Sequence, residues 1–163
     1  MSRLPTDFVH PLRVEVPGGC RLRPITEADA VVGCPTVMGS RERLWPISGE
    51  VWGWPVATMT YEANLKDLER HAEETAAHQS FSYVLFDAAE TTEFGCARID
   101  PPEKAGADAE ISWWVVDERV GTALERDLDP LVPRWIAEDW PFRRPRSIGR
   151  DLSWHDWPAL PDA

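Results

Sequence analysis

Two carboxylates, Asp108 and Glu110, open an apolar run from Ile111 to Val116. That run leads through Asp117, Glu118, Arg119, Val120 and Gly121 into a helical pattern. A carboxylate on such a strand can take a proton from an amine nucleophile, directly or through water. The helix N-terminus that follows can receive an anion, because its first amides lack intrahelical partners. Glu110 is therefore the candidate catalytic base. Asp108, two residues earlier, shares its face if the strand is already regular there, so a carboxylate pair is the alternative.

Other reactive residue types make weaker sets. Ser153, His155 and Asp156 supply the groups of a hydrolase triad, but triad members converge from separate elements and no Gly-x-Ser-x-Gly turn is present. A polar turn is expected there. His71 and His78 lie seven apart on a helical pattern, about 10 Å along its axis, too far for one metal ion with bonds near ~2 Å. With no Cys/His cluster elsewhere, no metal site is expected. Cys96 in a hairpin strand reads as a small buried hydrophobe before a nucleophile. Arg143, Arg144, Arg146 and Arg150 read as a solvated surface, with contact to a phosphate or an acidic partner as the alternative.

Composition bounds the setting. A chain of 163 residues, 43% hydrophobic and 28% charged, fits one soluble globular domain over 1–163. It shows no internal repeat. No apolar run approaches the roughly 20 residues of a membrane span, and the N-terminus lacks a signal-peptide apolar region, so a cytoplasmic protein is expected. Cys20, Cys34 and Cys96 are odd in number and widely spaced, which favours free thiols. A net charge of -11 argues against a nucleic-acid surface and favours a small amine-bearing substrate. Nine tryptophans stand out, four of them before proline: Trp45, Trp54, Trp140 and Trp157. Most serve packing; a homodimer through Trp-rich surfaces is a further expectation. Trp45, Trp52 and Trp54, in a Gly/Pro-rich stretch, are candidates for the wall of a substrate pocket.

The elements that must position these groups follow from periodicity. Leu12–Val16 and Cys20–Ile25 alternate as strands, and Thr26 with Glu27, Ala28 and Asp29 reads as a helix start. Residues 31–55 read as an irregular excursion with short helical turns, a length at which loops are often functional. Tyr61–Gln79 is helical, capped by Thr60, with Tyr61, Leu65, Leu68, Ala72 and Thr75/Ala76 on one face. Phe81–Phe86, Glu93–Ile99 and Asp108–Val116 read as an antiparallel meander. A helix from about Thr122 to Leu128 breaks at Pro130, and a second runs to Asp139 with Asp129 as its cap. A short strand and an aromatic tail follow the arginine run.

This order, with Arg21–Asp29, Asn64–His71, Phe94–Ile99, Ala109–Val116 and Trp135–Phe142, resembles the GNAT superfamily of N-acetyltransferases, in particular a small bacterial branch, over about residues 20–150. The resemblance implies an α+β fold, a mixed and mostly antiparallel central sheet flanked by helices, here with a shortened C-terminal part. It implies acetyl-CoA as cofactor, its pantetheine arm along Trp114, Val115 and Val116 and its pyrophosphate on the loop of Arg119, Val120, Gly121, Thr122 and Ala123. It implies direct attack by a small amine on the thioester, with Glu110 as base. Two departures mark the chain. Glu118 stands at the Gln/Arg position of the loop pattern, making the cofactor loop degenerate. No tyrosine follows the central strand, where a late helix of the superfamily often supplies a tyrosine acid. A GNAT-shaped binding or assembly module, or an enzyme repurposed for another small metabolite, are the alternatives these departures leave open.

Overall fold

Alternation along the strands decides the architecture. In the computed structural model, which describes residues 4–163, Glu93–Asp100 alternates buried and half-buried positions along its whole length. From Cys96 to Asp100 one side of that strand belongs to an apolar core and the other to a polar floor, and a register shift against Leu85 and Phe86 turns Glu93 to the floor side. Six strands lie in chain order: β1 (Val14–Val16), β2 (Cys20–Pro24), β3 (Phe81–Phe86), β4 (Glu93–Asp100), β5 (Ala109–Val115) and β6 (Pro145–Ser147). The first five pair antiparallel, and β6 joins β5 in parallel. The sheet is mixed and mostly antiparallel, as expected.

One face packs on a helix, α5 (Ala123–Asp139), whose Leu124, Leu128, Leu131, Val132, Trp135 and Ile136 are buried. They meet Leu22, Tyr83, Ala97, Ile111 and Trp113 in the main core. Here the sequence reading needs correction, because α5 is one helix rather than two. Pro130 and Pro133 stand on its exposed side, so the carbonyls they leave without an amide partner face solvent. Burial of the six-residue stripe outweighs a local cost of about 3 kcal/mol for an interior proline.

The opposite face carries Ser82 and Val84 of β3, Cys96, Arg98 and Asp100 of β4, and Ser112 and Trp114 of β5, in mutual register. Helices α1 (Ala30–Gly39) and α4 (Tyr61–Ala76) cover it, packing on each other and on β4 and β3. Between them run α2 (Arg41–Leu44), a wide turn over Trp45–Gly49 and α3 (Glu50–Trp52). Much of the stretch expected to be irregular is therefore helical. Pro35 is exposed within α1 and again frees a carbonyl toward solvent, that of Val31. Thr60 caps α4 as expected, its hydroxyl accepting from the Ala63 amide at 3.1 Å. The buried face of α4 is rotated from the expected one and consists of Asn64, Leu68, His71 and Thr75. Three of these four are polar because they look onto a polar floor.

Two features open a site. The β5–β6 ladder covers only Ala109–Ile111, so Ser112–Val115 pair with β4 alone. Gly95 allows β4 to approach β5 closely there, since a Cβ at this position would lie 2.0 Å from the Trp114 carbonyl oxygen. After β6 the tail folds back: Trp157 is buried, and Lys104 and Asp162 form an isolated antiparallel bridge.

Candidate active site

A cavity of about 1070 Å³ lies between the polar floor and the α1–α4 layer. Its wall includes Trp114 and Val115 near the C-terminal end of β5, Gly33 and Asn64 on the helices, and Arg98 and Asp100 on β4. Trp52 and Trp54 are among its lining residues, and Trp54 lies 6.1 Å from Trp114, ring to ring. Trp45 does not line it. Its ring rests against Gly49, with the Arg41 guanidinium 5.1 Å above it.

The residues expected to hold a cofactor converge on one corner, where β5 ends and α5 begins. Val116 donates from its amide to Phe94, extending the β4–β5 ladder. Asp117–Arg119 form a single 3₁₀ turn, and Gly121 follows with φ 72°, a conformation that favours glycine. The Gly121 amide donates to Glu125 Oε2 at 2.6 Å, and the Asp117 amide to Ser40 Oγ at 3.0 Å. Arg43 reaches across from α2, donating to Asp117 Oδ1 at 2.7 Å and to the Val115 carbonyl. Arg119 lies over the Phe94 ring at 4.3 Å. Val120 is exposed, and Thr122 turns its hydroxyl back to the Arg119 carbonyl at 2.6 Å, just ahead of Ala123. Val116 and residues 119–123 are not among the residues that line the cavity.

Glu110, expected as the base, lies outside the cavity. It is 3% exposed and accepts from three donors: the Glu103 amide at 3.0 Å, Arg146 at 3.2 Å and Trp157 Nε1 at 2.8 Å. These contacts correct its expected place: Glu110 fastens β6 and the tail to β5. Asp108 does related work at the start of the strand, accepting from the amides of Arg143 and Arg144 at 2.7 and 2.9 Å. Two of the arginines read as solvated are in fact tied down. Arg146 pairs with Glu110, while Arg150 pairs with Asp129 and lies 4.5 Å over the Trp113 ring. Ser153 and Asp156 close a local turn at 2.6 Å, with His155 exposed. That is a turn and not a triad.

The cavity holds polar groups that the sequence reading missed. At one end Arg98 bridges His71 Nε2 at 3.0 Å and Asp100 Oδ1 at 2.9 Å, and Ser80 donates to Asp100 at 2.6 Å. Burial works to raise the Asp67 carboxyl, but hydrogen bonds from His71 and Arg70 overcome it and hold the group at about 2. At the other end stands Glu93, 6% exposed. Burial, reinforced by the nearby Asp29 charge and opposed by Arg23, pushes its carboxyl up to about 8. Cys96 also lines the cavity, but burial drives its thiol up to about 12, which leaves it protonated and unreactive. Among the described residues no group of three His, Cys, Asp or Glu is arranged to hold a metal ion, and no helix is long and apolar enough to cross a membrane.

The chain matches no family model and no curated protein sequence. Solved structures do match it. It is similar to the ribosomal-protein-S5-alanine acetyltransferase of Vibrio fischeri, with a TM-score of 0.67 and 18% identity over 84% of this chain and 73% of that one. Mycobacterium smegmatis RimJ, in complex with CoA-disulfide, aligns with a TM-score of 0.63 and 16% identity over 85% of this chain and 69% of its own. The microcin C7 self-immunity acetyltransferase MccE, in complex with acetyl-CoA and AMP, aligns with a TM-score of 0.61 and 12% identity over 77% and 67%. At these identities the likeness is one of fold. The fold is GNAT-like.

Proposed function

We propose that this protein is an acyl-CoA-dependent N-acyltransferase that moves an acetyl group to a small amine by direct attack. The observation that carries the reading is the position of the cavity. It passes from Trp114 and Val115, where β5 has no strand on its β6 side, to the buried carboxyl of Glu93. A thioester held along the open strand end would face this cavity, with the ionisable Glu93 among its lining residues. Two of the solved neighbours hold CoA-disulfide or acetyl-CoA, which supports the choice of cofactor.

The corner fits such a cofactor in one specific respect. Glu125 Oε2 on the Gly121 amide is an oxyanion at a helix N-terminus, the position in which a phosphate oxygen would be received. Trp114, Val115 and Val116 would flank the pantetheine arm, and Arg119, Val120, Gly121, Thr122 and Ala123 would surround the pyrophosphate. When bound, acyl-CoA would supply the thioester carbonyl that the amine attacks. The chain's own part is to release Glu125 and Arg43 from the corner, exclude water with Trp52 and Trp54, and orient the amine on the polar floor.

A second reading has its own observation. Ser40, Glu125 and Arg43 already occupy the Asp117 amide, the Gly121 amide and the Val115 carbonyl. A protein in which those contacts persist would be a GNAT-shaped binding module, with the cavity serving a small metabolite. Thiol release from acetyl-CoA, measured across a panel of primary amines, separates the two. The acyltransferase releases thiol only with an acceptor present and loses this on Gly121→Trp, which fills the loop. A binding module releases none with any amine.

A further inference from the structure

The sheet ends at β1, and the outer edge of that strand is open. Among the described residues no strand pairs beyond it, and no backbone hydrogen bond other than those to β2 reaches Val14–Val16. The side chains sort by face. Val14 and Val16 lie against the main core, while Arg13 and Glu15 stand on the other face, joined by a hydrogen bond and 55% and 62% exposed. Val9 and Leu12, just ahead of the strand, are 78% and 67% exposed, unusually bare for large apolar side chains. Pro11 and Pro17 bracket the segment, so an added ladder has room only between them.

An open edge of this kind can take a strand from another chain. Pairing two copies of β1 antiparallel about a two-fold axis at Val14 sets Arg13 of each copy opposite Glu15 of the other. Val14 then meets Val14, and Leu12 meets Val16. Residues directly opposite in an antiparallel pair share a face, so both charged pairs fall on one face and the apolar row on the other. Glu15 already stands opposite Arg21 of β2, so the signs alternate across the joined sheet. Neighbouring registers fail. An axis at Arg13 or at Glu15 sets like charges opposite each other, and an axis between residues sets a charge against Val14. The segment is self-complementary in one register, as a contact between identical surfaces requires.

We infer that β1 is a dimer edge and that its partner is a second copy of this chain, joined antiparallel about Val14 into one continuous sheet. This surface goes beyond the acyltransferase reading and stands without it. It places the second copy at an edge that carries no tryptophan, away from the Trp-rich surfaces that composition suggested. Three strands separate β1 from β5, so the corner between β5 and α5 stays open in both copies. Because the two-fold axis uses each β1 edge once, association stops at two copies. The contact takes in residues 12–16 and Val9, well below the roughly 20–30 residues a side of a standard interface, so the dimer is a weak one.

The test is sedimentation equilibrium of the full chain at about 0.15 M salt, which screens the general repulsion between copies of charge -11. The expected result is a monomer–dimer equilibrium with a Kd of roughly 0.1 mM. Arg13→Glu and Glu15→Arg, each alone, set like charges opposite each other twice and weaken association by about tenfold or more. Mixing the two variants restores it, because every cross-strand pair is then of opposite sign, and combining both changes in one chain does the same. Amide spectra show that each variant keeps the fold. Wild-type protein that stays monomeric up to about 1 mM, tenfold above the expected Kd, overturns the proposal. A dimer that either single variant leaves intact also overturns it, because the contact then lies on another surface. So does a mixture that associates no better than its components.

Discussion

Glu93 ties a site to a pH dependence of stability. Its carboxyl lies at about 8 in the folded protein against an ordinary 4.5, with burial first and the Asp29 charge second as causes. The folded state thus holds a proton that the unfolded chain has released. The stability this contributes is whole below pH ~4.5 and is lost as pH rises through ~8. Urea unfolding of wild type and Glu93→Gln across that window should show the wild type losing up to about 1.4 kcal/mol more per pH unit than the variant. Parallel pH profiles would place the Glu93 proton elsewhere. Glu110 answers a different test, since Glu110→Ala leaves Arg146 and the Trp157 N–H without their acceptor in a buried setting. A loss of about 2–4 kcal/mol in thermal or urea unfolding is expected. Glu110 was the visible carboxylate because it stands in a strand whose pattern is plain. Glu93 was hidden because its burial depends on contact with α1 at Gly33, far away in the chain.

At the scale of elements, the sheet and α4 were legible because their signals are local: short apolar runs bounded by turn residues in β3 to β5, and a threonine ahead of an amphipathic run. The helices with prolines were not. Pro130 read as a break and the stretch holding Pro35 as irregular, yet Pro35, Pro130 and Pro133 each sit on an exposed helix side while the opposite side is buried. Tertiary burial overrides the local preference, and the sequence alone does not say which side a proline will face. Because the cost of Pro130 remains in the folded state, Pro130→Ala should stabilise α5 by roughly 1 kcal/mol, raising the melting temperature. The loop before α5 was legible in position and not in occupancy. Glu125 follows Gly121 at a spacing that lets it reach back to the glycine amide, and it competes there with any incoming phosphate. Glu125→Gln should tighten acetyl-CoA binding by about tenfold, a change of ~1.4 kcal/mol in calorimetry. Unchanged affinity would show that the carboxylate does not guard the corner.

The whole molecule joins a GNAT-like frame to a cavity whose polar groups differ from those the sequence put forward. The frame came from element order, and solved structures at 12–18% identity share it. The tryptophans proved to be divided between roles. Trp52 and Trp54 wall the cavity, Trp157 secures Glu110, and Trp135 and Trp140 belong to the main core with Tyr83. Composition gave no means of sorting them, because each role needs the same large ring. The formal charge of -11 fits attraction of a cationic acceptor, an attraction that salt should weaken. The central claim is that the corner between β5 and α5 receives an acyl-CoA cofactor. Calorimetric titration of the full chain with acetyl-CoA, and with desulfo-CoA as a thiol-free comparison, tests it most directly. Saturable binding of both ligands, lost for both on Gly121→Trp, is expected; no binding of either at about 1 mM ligand, a concentration that detects even weak affinity, would contradict a cofactor corner.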